Sequence, residues 1–170
     1  EESCRHMIKQ GEGSISHMYL DTRGFVTVGV GNMMKTATEA QALPFVRRDN
    51  GTAASDEDIA ENFDAVRVRP YGQAYAAGSF KDHTTLDLPD SEIDALLDRR
   101  IAGFEAGLRD DFSGYDDYPD RARLGLIDMA FNLGNLGLVT KFPTFTNAAR
   151  HGDWETCAKE CRRRGISKSR

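Results

Sequence analysis

The stretch that most constrains the fold lies near the start of the chain, residues 12–32, EGSISHMYLDTRGFVTVGVGN. It joins a glycine-flanked helix end to two strand-like runs separated by a turn. The apolar and polar residues of the preceding MIKQGEG suit a helix that stops near Gly11 and Gly13, so Glu12 projects from a helix end. The strand-like HMYL leads to Asp21 and the turn Thr22-Arg23-Gly24, after which Phe25, Val26, Thr27, Val28 and Val30 form a β-branched return strand. A hairpin of this kind carries Asp21 and Thr27 close together.

Two carboxylates on separate elements across a cleft are what glycoside hydrolysis needs. One must hold a proton for the leaving oxygen, and the other must stay ionised to act on water or on the sugar. The spacing itself, a Glu, eight residues, then Asp-Thr-x-Gly-x-x-Thr-x-Gly-x-Gly, resembles the signature of the phage-type lysozymes, the muramidases. The resemblance implies that Glu12 is the general acid, that Asp21 positions or activates the attacking water, and that Thr27 lines the same cleft beside the scissile bond. It also implies an inverting glycoside hydrolase that cuts the β-1,4 bond between N-acetylmuramic acid and N-acetylglucosamine in peptidoglycan and so lyses the cell. Carboxyl groups roughly 6.5 to 9.5 Å apart are then expected. Taken singly, these residues suit surface carboxylates, a strand threonine and turn glycines just as well. Their joint spacing carries the reading.

A second stretch, residues 120–154, resembles the central helix of the same family, its following loop and two later helices. Leu124, Leu126, Ile127, Met129, Ala130 and Phe131 have the apolar density of a helix buried on most sides, and Gly134 suits its C-terminal end. The match implies that Asn132 and Leu133 help to hold the glycan, with the Asn132 amide offered to a sugar. Asn132 serves equally as a helix-end residue satisfying backbone groups. Phe142, Phe145 and Trp154 read as core rather than as sugar platforms.

A chain of 170 residues, 39% hydrophobic and 29% charged, suffices for one compact domain with a sizeable core. The expected fold class is α+β and mainly helical. The resemblance makes it lysozyme-like: a small N-terminal hairpin lobe over 1–89, then a long connecting helix and a helical C-terminal lobe over 90–170, with the cleft between the lobes. Pro89, Asp90, Ser91 and Glu92 supply the start of the connecting helix, and Ile93, Leu96, Leu97, Ile101, Phe104 and Leu108 repeat at helical spacing. Ser55 opens a further helix carrying Ile59, Phe63 and Val66 and ending before Pro70. The run WETCAKECRRR reads as the last helix, with basic residues at its C-terminal end.

The chain departs from the family pattern in two places. Asn32 stands where many phage lysozymes carry a histidine, which removes any charge pair made there and bears on local stability rather than chemistry. The segment 33–83 is larger than its counterpart in a minimal phage enzyme. It reads chiefly as a solvated insertion, and its Arg67, Arg69, Tyr71 and Tyr75 are the residues that could extend a glycan groove or bind a partner.

A net charge of −5 gives little long-range attraction to an anionic wall, and together with the lack of a basic aromatic array it argues against nucleic acid as the partner. Cys4, Cys157 and Cys161 are odd in number and read as buried small apolar residues rather than a disulfide framework. His6, His17, His83 and His151 show no zinc-ligand spacing, so neither a metal nor another cofactor is implied. No segment approaches the ~20 apolar residues of a membrane span, and the N-terminus has no signal-peptide pattern. The expected setting is the bacterial periplasm or cell wall, reached through a pore, a secretion apparatus or a larger carrier protein, with peptidoglycan strands as partner and an immunity protein as a second one. Both ends read as cut. Two other functions compete: a lytic transglycosylase, which needs a single acid, and a non-catalytic peptidoglycan-binding module on the same scaffold.

Overall fold

The computed structural model describes residues 2–161. The fold is α+β and mainly helical, with one small antiparallel sheet and a two-stranded ribbon. The chain divides into two compact units, Glu1–Leu97 and Asp98–Arg170, with the division inside the long helix.

In the first unit, helix α1 (Glu2–Glu12) runs into the hairpin of β1 (Ile15–Leu20) and β2 (Val26–Gly29), and β3 (Asn32–Met33) adds the third strand in the order β1-β2-β3. Helix α1 ends because Gly13 takes φ +78 and returns its N–H to the Lys9 carbonyl, a conformation that side chains with a Cβ rarely adopt. Cys4 and Ile8, one turn apart, form its buried face. In the hairpin Leu20 pairs with Val26 and Tyr19 with Thr27. Alternation then sends Met18, Leu20, Val26 and Val28 to the core, all at most 3% exposed.

The segment 33–83 is structured rather than a solvated loop. It carries helix α2 (Ala37–Gln41), strand β4 (Val46–Arg47), helix α3 (Asp56–Arg67) and a 3-10 turn (Ala77–His83). It also places Phe45, Ile59, Phe63, Val66 and Phe80 in the core, with α3 and the 3-10 turn against β1. Ile59, Phe63 and Val66 recur at helical spacing, so α3 has an apolar stripe that must be covered. Ser55 starts α3 through a reciprocal capping box: its Oγ accepts from the Asp58 N–H, and the Asp58 carboxylate accepts from the Ser55 N–H.

Strand β5 (Leu86–Asp87) pairs with β4 and leads through Pro89 into helix α4 (Asp90–Asp111). Arg48 ties this ribbon together. It holds Asp87 by two bonds, 2.9 and 3.1 Å, and donates also to the Thr84 carbonyl at 2.7 Å and the Thr84 hydroxyl at 2.9 Å. Burial pushes the Asp87 carboxyl up, but the hydrogen bond and charge of Arg48, with Ser16 and His17, outweigh it and hold the group below the usual carboxylate range. Gly29 at the end of β2 has φ +66, and a Cβ there would meet Ile93 Cγ2 at 3.2 Å, so the glycine lets the end of the central strand approach the first turn of α4.

The second unit contains the rest of α4, a 3-10 turn (Tyr115–Asp117), and helices α5 (Asp120–Leu133), α6 (Asn135–Lys141), α7 (Pro143–Arg150) and α8 (Trp154–Glu160). Leu126 to Phe131 are all buried, which makes α5 the central helix, and Gly134 at φ +71 ends it. Tyr118 stacks edge-on against Trp154 at 4.8 Å, and Phe145 is buried. Cys4 and Cys157 are buried, whereas Cys161 is only half-buried because it caps α8 instead of facing the core; none of the three forms a disulfide. The arginines expected at the end of this helix, Arg162 to Arg164, lie outside the described residues.

Candidate active site

Asp21 leaves the end of β1 at the mouth of the hairpin, half-buried, and its side chain folds over the turn that follows. Asp21 Oδ1 accepts from the N–H of Arg23 and from the N–H of Phe25, both at 2.9 Å. The main chain closes the same turn, with Asp21 N–H donating to the Phe25 carbonyl and Gly24 N–H donating to the Asp21 carbonyl, each at 3.0 Å. An aspartate holds such a turn because its short carboxylate reaches backbone donors two and four residues on. Four bonds therefore fix both the backbone and the side chain of this residue.

Thr27 is buried, at 2% exposed, and its hydroxyl donates to the Phe25 carbonyl at 2.9 Å. The same oxygen receives the Asp21 N–H, so the Phe25 peptide brings the aspartate and the threonine together. With its hydrogen committed, the Thr27 hydroxyl offers its two lone pairs as acceptors. Period-two alternation puts Tyr19, opposite Thr27, on this face, and Met33, opposite Thr27 on the other side, belongs to it as well. Arg23 lies over the Phe25 ring at 5.0 Å.

Glu12 is the last residue of α1, exposed, with Gly13 and Ser14 between it and β1. Its helix is anchored by two cations one turn apart: Arg5 reaches Asp94 at 3.5 Å, and Lys9 pairs with the same carboxylate. Asp94 belongs to the first turns of α4, so the helix that carries Glu12 is oriented by the same element that meets the end of the central strand at Gly29. The sequence signals for Glu12, Asp21 and Thr27 are local. Those for Tyr19 and Phe25 were present in the strand alternation and in the turn spacing. The Asp94 anchor has no local signal.

Asn132 and Leu133 stand at the end of α5 in the second unit, the first exposed and the second half-buried. The Asn132 amide donates to the Asp128 carbonyl one turn back at 2.8 Å. One N–H of the amide is thus spent on the helix end.

Other ion pairs lie elsewhere in the first unit. Arg47 is paired with Asp58 and Arg48 with Asp87 around a shallow pocket that also reaches Asp49 and Thr85. Among the described residues no group of three or more His, Cys, Asp or Glu is arranged to hold a metal ion, and no helix is long and apolar enough to cross a membrane. No protein-family model matches this sequence, and no curated protein matches it either.

Proposed function

We propose that this chain is a muramidase of the phage-lysozyme type, an inverting glycoside hydrolase that cleaves the β-1,4 bond between N-acetylmuramic acid and N-acetylglucosamine in bacterial peptidoglycan. The observation that carries the reading is the fixed pairing of Asp21 and Thr27 on the Phe25 peptide, at the spacing from Glu12 that the phage-type signature requires.

In this mechanism Glu12 gives its proton to the glycosidic oxygen as the bond breaks. Asp21 takes a proton from a water that attacks the anomeric carbon from the opposite face. The water has two hydrogens to place. One goes to the Asp21 carboxylate and the other to the Thr27 hydroxyl oxygen, which the bond to Phe25 holds as an acceptor. Both acceptors are held by the backbone, so the water is oriented without further ordering cost in the transition state. Asn132 and Leu133 are assigned to glycan contact by the same resemblance. The setting that follows is the bacterial cell wall, with peptidoglycan strands as substrate and an immunity protein as a further partner. The chain then serves either phage lysis or attack on a competing bacterium.

The test is digestion of purified peptidoglycan by the wild-type protein and by Glu12→Gln, with mass spectrometry of the released muropeptides. Reducing-end products from the wild type and at least a 100-fold loss in Glu12→Gln, about the size of a general-acid contribution, are expected. Anhydro-muramic ends would replace the reading by a transglycosylase. Binding to the wall without release by either protein would replace it by a binding module.

A further inference from the structure

We infer that Tyr71, delivered by the 33–83 segment to the tip of the Asp21 hairpin, is a sugar-stacking residue that adds a glycan-binding position to the site. The inference rests on the reading of that site as a muramidase. The observation behind it is a close approach between residues far apart in the chain. A Cβ built on Gly24 would lie 2.7 Å from Tyr71 Cε1 and 2.8 Å from Cζ, so one side of the ring rests directly on the glycine backbone. Gly24 sits between Arg23 and Phe25, the two residues whose N–H groups hold the Asp21 carboxylate. Tyr71 therefore stands beside the turn that positions the proposed base.

Tyr71 nonetheless remains 55% exposed as a residue, and Tyr75, four residues on, is 43% exposed. A large ring in contact with a fixed turn and open to water, as Tyr71 is, has the features of a carbohydrate platform: a π-face for the C–H face of a sugar and a phenol at the rim for its hydroxyls. The cations of this stretch are already committed to α3. Arg67 is paired with Asp64 at 3.0 Å, and Arg69 donates to the Ala65 carbonyl at 3.2 Å. The side chain that rests on Gly24, Tyr71, is itself aromatic and uncharged, in a chain of net charge −5. That chemistry suits a neutral N-acetylated sugar better than a polyanion. The glycine at position 24, with φ +86, lets both the turn and the ring approach exist.

The experiment measures kcat and KM on soluble peptidoglycan fragments for wild type, Tyr71→Ala and Tyr71→Phe, and sedimentation with intact sacculi for Glu12→Gln and for the double variant Glu12→Gln/Tyr71→Ala. Loss of the ring is expected to raise KM about 3- to 10-fold, the range of one aromatic contact, with kcat the lesser change. Tyr71→Phe should stay within about twofold of wild type, and sacculus binding should weaken in the double variant by the same factor as KM. An unchanged KM in Tyr71→Ala overturns the inference, as does a fall in kcat alone, which would make the ring a support for the turn. Equal losses in Tyr71→Phe and Tyr71→Ala also overturn it, since stacking needs only the ring. If the wild type releases no products while sacculus binding still depends on Tyr71, the hydrolytic reading falls and the stacking inference stands.

Discussion

Replacing Asp21 by asparagine or by alanine separates its two duties. Asparagine keeps a carbonyl oxygen where Oδ1 accepts from the N–H groups of Arg23 and Phe25, while alanine removes the acceptor altogether. Hydrogen bonds to a charged acceptor contribute about 1.5–3 kcal/mol each when sheltered and about half that when the acceptor is neutral. The Arg23 N–H lies in the exposed part of the turn, where water can replace the carboxylate, so most of the loss comes from the part-buried Phe25 N–H. Asp21→Ala should then cost about 2–3 kcal/mol, and Asp21→Asn about half of that, roughly 1–1.5 kcal/mol. Urea denaturation followed by circular dichroism reads the difference as a midpoint shift of about 1 M for alanine, given a slope of about 1–3 kcal/mol per M. Hydrolysis should fall in both variants by about 100- to 10,000-fold, because neither side chain can take a proton from water. An asparagine variant as unstable as the alanine one would refute the turn geometry. An asparagine variant that keeps a wild-type rate would refute the role of Asp21 as base.

Two further outcomes follow from the structure. The Asp87 carboxyl is held below its usual range, so it contributes stability above the unfolded-state carboxylate value of about 3.9, and this is lost as pH falls through the lower folded value. Arg48→Gln should accordingly destabilise the protein clearly at pH 7 and much less at pH 2.5, and equal denaturation shifts at both would show that the Asp87 pairing carries none of the effect. Cys161 is half-buried while Cys4 and Cys157 are buried, and burial, with the Asp153 charge, pushes the Cys157 thiol up. A thiol reagent at neutral pH should therefore label Cys161 quickly and the other two only on unfolding; rapid labelling of all three, counted by mass spectrometry, would contradict that packing.

Much of the local structure around the candidate site was legible because its signals are local. The stop of α1 at Gly13, the turn after Asp21, the return strand through Thr27 and the capping box at Ser55 all depend on residues within a few positions of one another. The long helix beginning at Asp90 and the buried central helix α5 ending at Gly134 follow from apolar spacing and helix-end chemistry in the same way. The segment 33–83 was harder to read. Its small polar residues resemble a loop, but the stripe of Ile59, Phe63 and Val66 has to be covered, and covering it draws the whole segment against β1.

By itself the sequence determined the end of α1, the β1–β2 hairpin and the order in which they present Glu12, Asp21 and Thr27, because helix ends, tight turns and strand alternation are short-range consequences of backbone sterics and hydrogen bonding. Tertiary structure alone decided that Asp94 would anchor the helix bearing Glu12, that Arg48 would bind the ribbon through Asp87, and that the ring of Tyr71 would rest on Gly24. These pairs join residues tens of positions apart. No period or local propensity specifies them, since each forms only after the core has closed and brought the two stretches of chain within reach.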